Sequence, residues 1–144
     1  MRTVSNNNQG TRRQAGHDNM TWHAVDLHIH TPASKDYQEE KATYLDILKK
    51  AESEGLDVIA FTDHNTVSGY EAMQREISDL VRWEESGRLR AEEKRRLNEY
   101  RRLTEKILVL PGFEFTATLG FHILAIFPPD TSIRSLEHVL LSLN

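Results

Sequence analysis

Apolar side chains recur along this chain in two rhythms. Val25, Leu27 and Ile29 alternate with Asp26, His28 and His30, the period of a strand with one apolar and one chemical face. Thr31-Pro32-Ala33-Ser34 breaks that strand. Tyr44, Ile47, Leu48 and Ala51 then recur at helical spacing, and Gly55 sits where a helix C-terminal glycine belongs. Residues 56–61 form a nearly continuous apolar run, as expected of a strand covered on both faces. Residues 68–106 are rich in Glu, Arg and Leu, with Gly87 dividing two helical segments. This stretch predicts a helical hairpin protruding from the body, either two solvated helices laced by Glu/Arg pairs or an arm facing a partner or nucleic acid. Residues 107–110 and 122–127 resume the strand pattern, with Pro111-Gly112 read as a bend that ends the first and aims Glu114 inward. After Asp130-Thr131-Ser132, a capping region, Ile133, Leu136, Val139 and Leu140 line one helical face.

The resulting order, β-α-β-α-α-β-β-α, predicts an α/β fold with successive parallel strands, as a barrel or an open doubly wound sheet. In both, chemistry gathers at the C-terminal ends of the strands. The polar residues His28, His30, Asp63, His64 and Glu114 fall at such ends, and His122 opens the last strand. Residues 1–20, with Asn6-Asn7-Asn8-Gln9, show neither rhythm and read as a disordered leader, leaving 21–144 as one domain.

Composition narrows the chemistry. A net charge of -4 over 144 residues gives no global basic field, so charge alone implies no sequence-independent grip on nucleic acid. There is no cysteine, which leaves His, Asp and Glu as the metal-ligating side chains. The apolar stretches are too short to span a bilayer, the first residues are unlike a signal region, and the expectation is a soluble cytoplasmic protein with no membrane partner. No phosphate-cradling glycine loop, nucleophile elbow or dinucleotide fingerprint is present, so no nucleotide-cofactor residues are assigned.

Period-2 geometry puts His28 and His30 on one face, which suits two ligands of one metal ion or a hydrogen-bonded structural pair. With His64, Glu114 and His122 at matching strand ends, the metal reading prevails. Imidazole nitrogen and carboxylate oxygen suit Zn, Mn or Fe, and several such ligands with open positions hold two or three ions that clamp a phosphate and generate hydroxide. Asp26 shares the chemical face of the strand and either supports His28 by a hydrogen bond or simply lies on the sheet. His17, His23 and His138 read as solvated or packed imidazoles, Lys35 as a surface lysine, and Trp22 and Phe121 as packing residues.

His28-Ile29-His30-Thr31, Thr62-Asp63-His64-Asn65, Gly112-Phe113-Glu114 and the strand-opening His122 together resemble the PHP (polymerase and histidinol phosphatase) family of metal-dependent phosphoesterases. The resemblance runs from about Asp26 to Phe127. It implies a distorted (β/α)7 barrel, here partial and carrying the inserted hairpin, with a site for two or three ions of Zn, Mn or Fe. By resemblance, His28, His30, His64, Glu114 and His122 are metal ligands, Glu114 bridges two ions, and His28, His30, His64 and Glu114 act in catalysis through bound metal. Asp63 orients its neighbour. Asp36 stands where family members often carry a further histidine, and is a candidate oxygen ligand. The family's later ligands, a His or Cys and a closing Asp-x-His, have no counterpart within 144 residues. The chain therefore reads as the N-terminal portion of a PHP domain, completed by later sequence or a second chain, with a C-terminal ATPase region as one context. The expected substrate is a phosphate ester, with a nucleic-acid end, a nucleotide or a small monoester as candidates. The opposing expectation is a metal-stabilised module without catalysis, or an inactive fragment, that supports an attached ATPase or partner.

Overall fold

A computed structural model of the chain describes residues 22–39, 41–118 and 120–143. The leader expected over residues 1–20, with His17, lies outside the described residues. The elements follow the predicted order: β1 (Val25–Ile29), α1 (Tyr44–Ser53), β2 (Val58–Phe61), α2 (Ser68–Glu85), α3 (Ala91–Lys106), β3 (Leu108–Thr116), β4 (His122–Ile126) and α4 (Ile133–Leu143). The strands form one curled, half-barrel sheet in the order β1-β2-β3-β4.

β1, β2 and β3 run parallel, in register at Val25, Val58 and Leu108. α1 makes the first crossover and the α2–α3 pair the second. α1 is well specified locally: Thr43 accepts from the Asp46 backbone N–H while Asp46 returns the bond to Thr43, closing both ends of a capping box.

β4 departs from expectation, because it pairs antiparallel with β3, Thr116 opposite His122 and Gly112 opposite Ile126. The reason is length. Five residues separate β3 from β4, whereas a parallel return needs a crossover of a dozen or more. Antiparallel pairing nonetheless brings the start of β4 to the end of β3, so His122 reaches the same edge of the sheet as the parallel strand ends.

Pro111 and Gly112 do not end β3. The strand pairs with β2 through Pro111 and with β4 from Gly112 onward, so the two residues mark the exchange of partner. A Cβ at Gly112 would stand 2.6 Å from the Ala125 carbonyl oxygen, so only glycine lets β4 approach here. Glu114 is aimed by strand alternation rather than by a bend.

The hairpin forms, but it does not protrude along its length. Tyr70, Met73 and Leu80 of α2 and Leu97, Tyr100 and Leu103 of α3 are buried in one cluster with Leu48, Ala51, Ile59, Phe61 and Val109. A narrow apolar stripe at three- and four-residue spacing accounts for this, hidden in the sequence by the charges that surround it. Ion pairs trim the outside: Arg102 donates to both oxygens of Glu52 on α1 at 2.6 and 2.7 Å. A second cluster, Val67, Phe113, Leu136 and Leu140, seats α4 on the other end of β3. Trp22 and Phe121, expected to pack, are 84% and 66% exposed.

Candidate functional site

Glu114 is the hub of the site. Its side chain is 2% exposed, at the point where an isolated parallel bridge joins His64 to Glu114. The backbone explains the placement: Glu114 N–H donates to the Asp63 carbonyl at 3.0 Å, and Asn65 N–H donates to the Glu114 carbonyl at 2.8 Å. The chain beyond β2 thus keeps pairing with β3 and carries His64 alongside.

The other sequence-predicted ligands converge on the two carboxylates. Oε2 of Glu114 lies 2.8 Å from His28 Nε2, 2.9 Å from His30 Nε2 and 3.5 Å from His64 Nδ1, while Oε1 contacts His122 Nδ1. Asp36 Oδ2 lies 3.0 Å from His30 Nδ1 and 3.3 Å from His64 Nε2. Three groups form in which one donor atom per residue lies within 4.8 Å of the others: His28-His30-Glu114, His30-Asp36-His64 and His64-Glu114-His122. All six candidates are brought together.

Simple chemistry limits what this arrangement can be. Both ring nitrogens of His30 face carboxylate oxygens, and so do both of His64. A neutral imidazole carries one N–H, so it cannot donate from both sides. Hydrogen bonds donated by a neutral ring therefore cannot account for both contacts, whereas a cation shared by nitrogen and oxygen would satisfy each side. For metal–ligand bonds of about 2.0–2.1 Å, tetrahedral geometry spaces neighbouring ligand atoms by about 3.3 Å. The observed separations of 2.8–3.5 Å bracket that value. The donor set fits divalent ions shared among adjacent residues.

Electrostatics agree with a carboxylate that stays charged. Burial pushes the Glu114 carboxyl up, but hydrogen bonds from His28, His122 and His30 and the charge of His64 outweigh it and hold it at about 2. Asp36 is held at about 2, chiefly by the Ser34 hydroxyl, which donates to Oδ1 at 2.6 Å.

Supporting residues surround the ligand candidates, and Thr31, Ser34 and Gly69 among them had no role assigned from sequence. Asp63, expected to orient its neighbour, is buried and grips the loop after β1: its carboxylate accepts from Thr31 N–H at 2.6 Å and from the Thr31 hydroxyl at 2.7 Å. Burial pushes this carboxyl up, against those bonds. Gly69, in the first turn of α2, lies so close that a Cβ would overlap Asp63 Oδ2 and Thr31 Oγ1. Ser34, besides holding Asp36, accepts from His64 N–H at 3.4 Å. Nothing in the local pattern distinguished Thr31 or Ser34 from ordinary turn residues, and Gly69 from a helix-start glycine.

Other candidates fall away from the centre. Asp26 accepts from the backbone N–H of His28 at 3.1 Å, not from its ring. A register shift follows Asp26, which pairs with Ile59 and so leaves the face that carries His28. His23 pairs with Asp57 at 3.4 Å, and Lys35 and His138 are exposed.

Fold and site define an α/β domain that gathers imidazoles and carboxylates at one edge of a curled sheet, each able to ligate a metal ion. The chain belongs to the PHP domain family, whose profile matches residues 26–126. Members of this family are typically metal-dependent phosphoesterases. No curated protein matches the chain. No helix among the described residues is long and apolar enough to cross a membrane.

Proposed function

We propose that this domain is a metal-dependent phosphoesterase, with His28, His30, Asp36, His64, Glu114 and His122 as the ligands of two or three Zn, Mn or Fe ions. The observation that carries the reading is the buried Glu114 carboxylate, reached by four imidazoles, with Asp36 closing the other side of His30 and His64. Bound divalent ions would supply the binding charge for the substrate phosphate and lower the pKa of a coordinated water. Glu114, whose two oxygens face different histidines, would hold the ions together with His28, His30 and His64. Asp36 and Glu114 bring two negative charges, fewer than two divalent ions carry, so a loaded site would keep a positive balance toward a substrate phosphate. Asp63 and Thr31 hold the β1 loop and the β2 end in register, which keeps His30, Asp36 and His64 at ligand spacing.

A second reading has its own support. Val25, Val58 and Leu108 form an apolar row across three strands, and Val25 and Leu108 are 54% and 46% exposed. The side chains of His28 and His122 are about half exposed. These features favour a further segment or chain covering this face and adding ligands, without which the domain is a metal-stabilised module with little turnover. An attached ATPase is one such setting.

The deciding experiment loads the chain with Mn or Zn, counts ions by mass spectrometry and follows hydrolysis of bis(p-nitrophenyl) phosphate. Bound ions and turnover that both fall in His28→Ala and His64→Ala support the hydrolase. Turnover unchanged in both variants refutes the site. Ions bound without turnover favour the module.

A further inference from the structure

The far end of the hairpin carries a feature that the metal site does not use. Of the eight arginines in residues 68–106, five pair with carboxylates: Arg75, Arg82, Arg96, Arg101 and Arg102. Among the described residues, Arg88, Arg90 and Arg95 make no ion pair with a carboxylate, and neither does Lys94. Glu84 in the same stretch is taken by Arg101, and Glu93 accepts from the backbone N–H of Arg90 at 2.8 Å. Among the described residues, that leaves Glu85, Glu92 and Glu93 as the acids near the tip without an ion pair, Glu93 being turned to a backbone N–H. Beside these cations stands Trp83, 41% exposed.

The backbone locks the arrangement. α2 closes with the N–H of Arg88 donating to the Trp83 carbonyl at 2.9 Å and that of Gly87 to the Glu84 carbonyl at 3.0 Å, with Gly87 at φ +68°. This is a Schellman closure, in which the residue in the position of Arg88 usually makes an apolar contact back to the position of Trp83. Here that place holds a guanidinium. Trp83, Arg88, Arg90 and Glu93 together line a surface hollow of about 280 Å³.

We propose that this hairpin tip is a docking platform for a single strand of nucleic acid, a base stacking on the Trp83 indole and phosphates meeting Arg88 and Arg90. Stacking on an aromatic face combined with cationic contacts to the backbone is how single strands are held without sequence preference. The proposal deepens the phosphoesterase reading and rests on it for its meaning, since it makes the substrate a polynucleotide. α2 begins against Asp63 and Thr31, and from Gly69 to Trp83 it advances about 21 Å at about 1.5 Å per residue. At a rise of about 3.4 Å per nucleotide, about six nucleotides cover that distance.

The test measures anisotropy of labelled dT20 and dT4 with the full chain in EDTA, across a salt series, so that binding is read apart from turnover. Expected is tighter binding of dT20 than of dT4. Trp83→Ala should weaken dT20 binding about tenfold with the salt slope unchanged. Arg88→Ala/Arg90→Ala should weaken it and lower the slope by about 1.4, two contacts at about 0.7 each. Hydrolysis of bis(p-nitrophenyl) phosphate, where present, should be the same in all three proteins. Absence of dT20 binding, or binding indifferent to these substitutions, overturns the proposal. So does Trp83-dependent binding of phosphatidylserine vesicles in place of dT20, which would make the tip a lipid contact.

Discussion

Thr31 and Asp63 are 32 positions apart, yet Thr31 gives both its backbone N–H and its hydroxyl to the one buried carboxylate of Asp63. This pair ties the loop that carries Asp36 to the segment that carries His64. Asp63→Ala should destabilise the domain by about 1–3 kcal/mol, the cost of a buried donor left without an acceptor. It should also lower metal affinity about 10–100-fold, as loss of a residue supporting the ligands does. Urea unfolding and metal titration measure the two effects. An unchanged metal affinity would reduce Asp63 to a stabilising role alone.

Removing the hub should do more. Glu114→Gln keeps the size of the side chain but withdraws the charge shared by four imidazoles. Its ion content should fall below that of His122→Ala, which loses one outer candidate ligand. Equal ion contents in the two variants would contradict the central place given to Glu114.

Metal should also act as a folding ligand. With free Mn or Zn at a hundredfold excess over its dissociation constant, the folded state gains about 2.7 kcal/mol by mass action. The parent Tm should rise on loading and return in EDTA, and the rise should be absent in His64→Ala. A Tm indifferent to chelation would mean that the folded domain does not hold the ions.

The hairpin should behave as core. Leu97 is fully buried against the sheet-facing cluster, and Leu97→Ala should cost about 2–5 kcal/mol. A loss under about 0.5 kcal/mol, the usual range for surface substitutions, would restore the protruding arm.

Acid should undo the clip between α1 and α3. Hydrogen bonds from Arg102 and Lys106 hold the Glu52 carboxyl at about 2, below its ordinary 4.5. A lowered carboxyl contributes stability that is full above its ordinary value and lost as pH falls toward the folded one. Parent and Glu52→Gln should therefore differ in urea midpoint at pH 7 and converge between pH 4.5 and 2. A gap that stays constant over that window would exclude the ion pair as its source.

The convergence of His28, His30, His64, Glu114 and His122 was readable because each sits at or beside a strand end, where alternation and apolar context fix both position and direction. His28, His30 and Glu114 needed no tertiary information beyond that. Asp36 was readable only as a substitute within a family pattern, since its aim comes from Ser34, a contact that no periodicity encodes. The direction of β4 was written in the shortness of its connector but masked by the expectation of parallel strands. The docking of α2 and α3 was obscured because a stripe of a few apolar residues carries the burial while charges dominate the composition. Gly69 could not be read at all: its role is the space it leaves for two oxygens from other segments.

The antiparallel return from Thr116 to His122 makes the site sensitive to counting. Because neighbouring residues of a strand face opposite ways, one residue added to or removed from that short link and absorbed by sliding β4 would turn the imidazole outward and bring Phe121 or Ile123 against Glu114. The link is thus a ruler, and its length is as much a determinant of the imidazole and carboxylate cluster as any side chain in it.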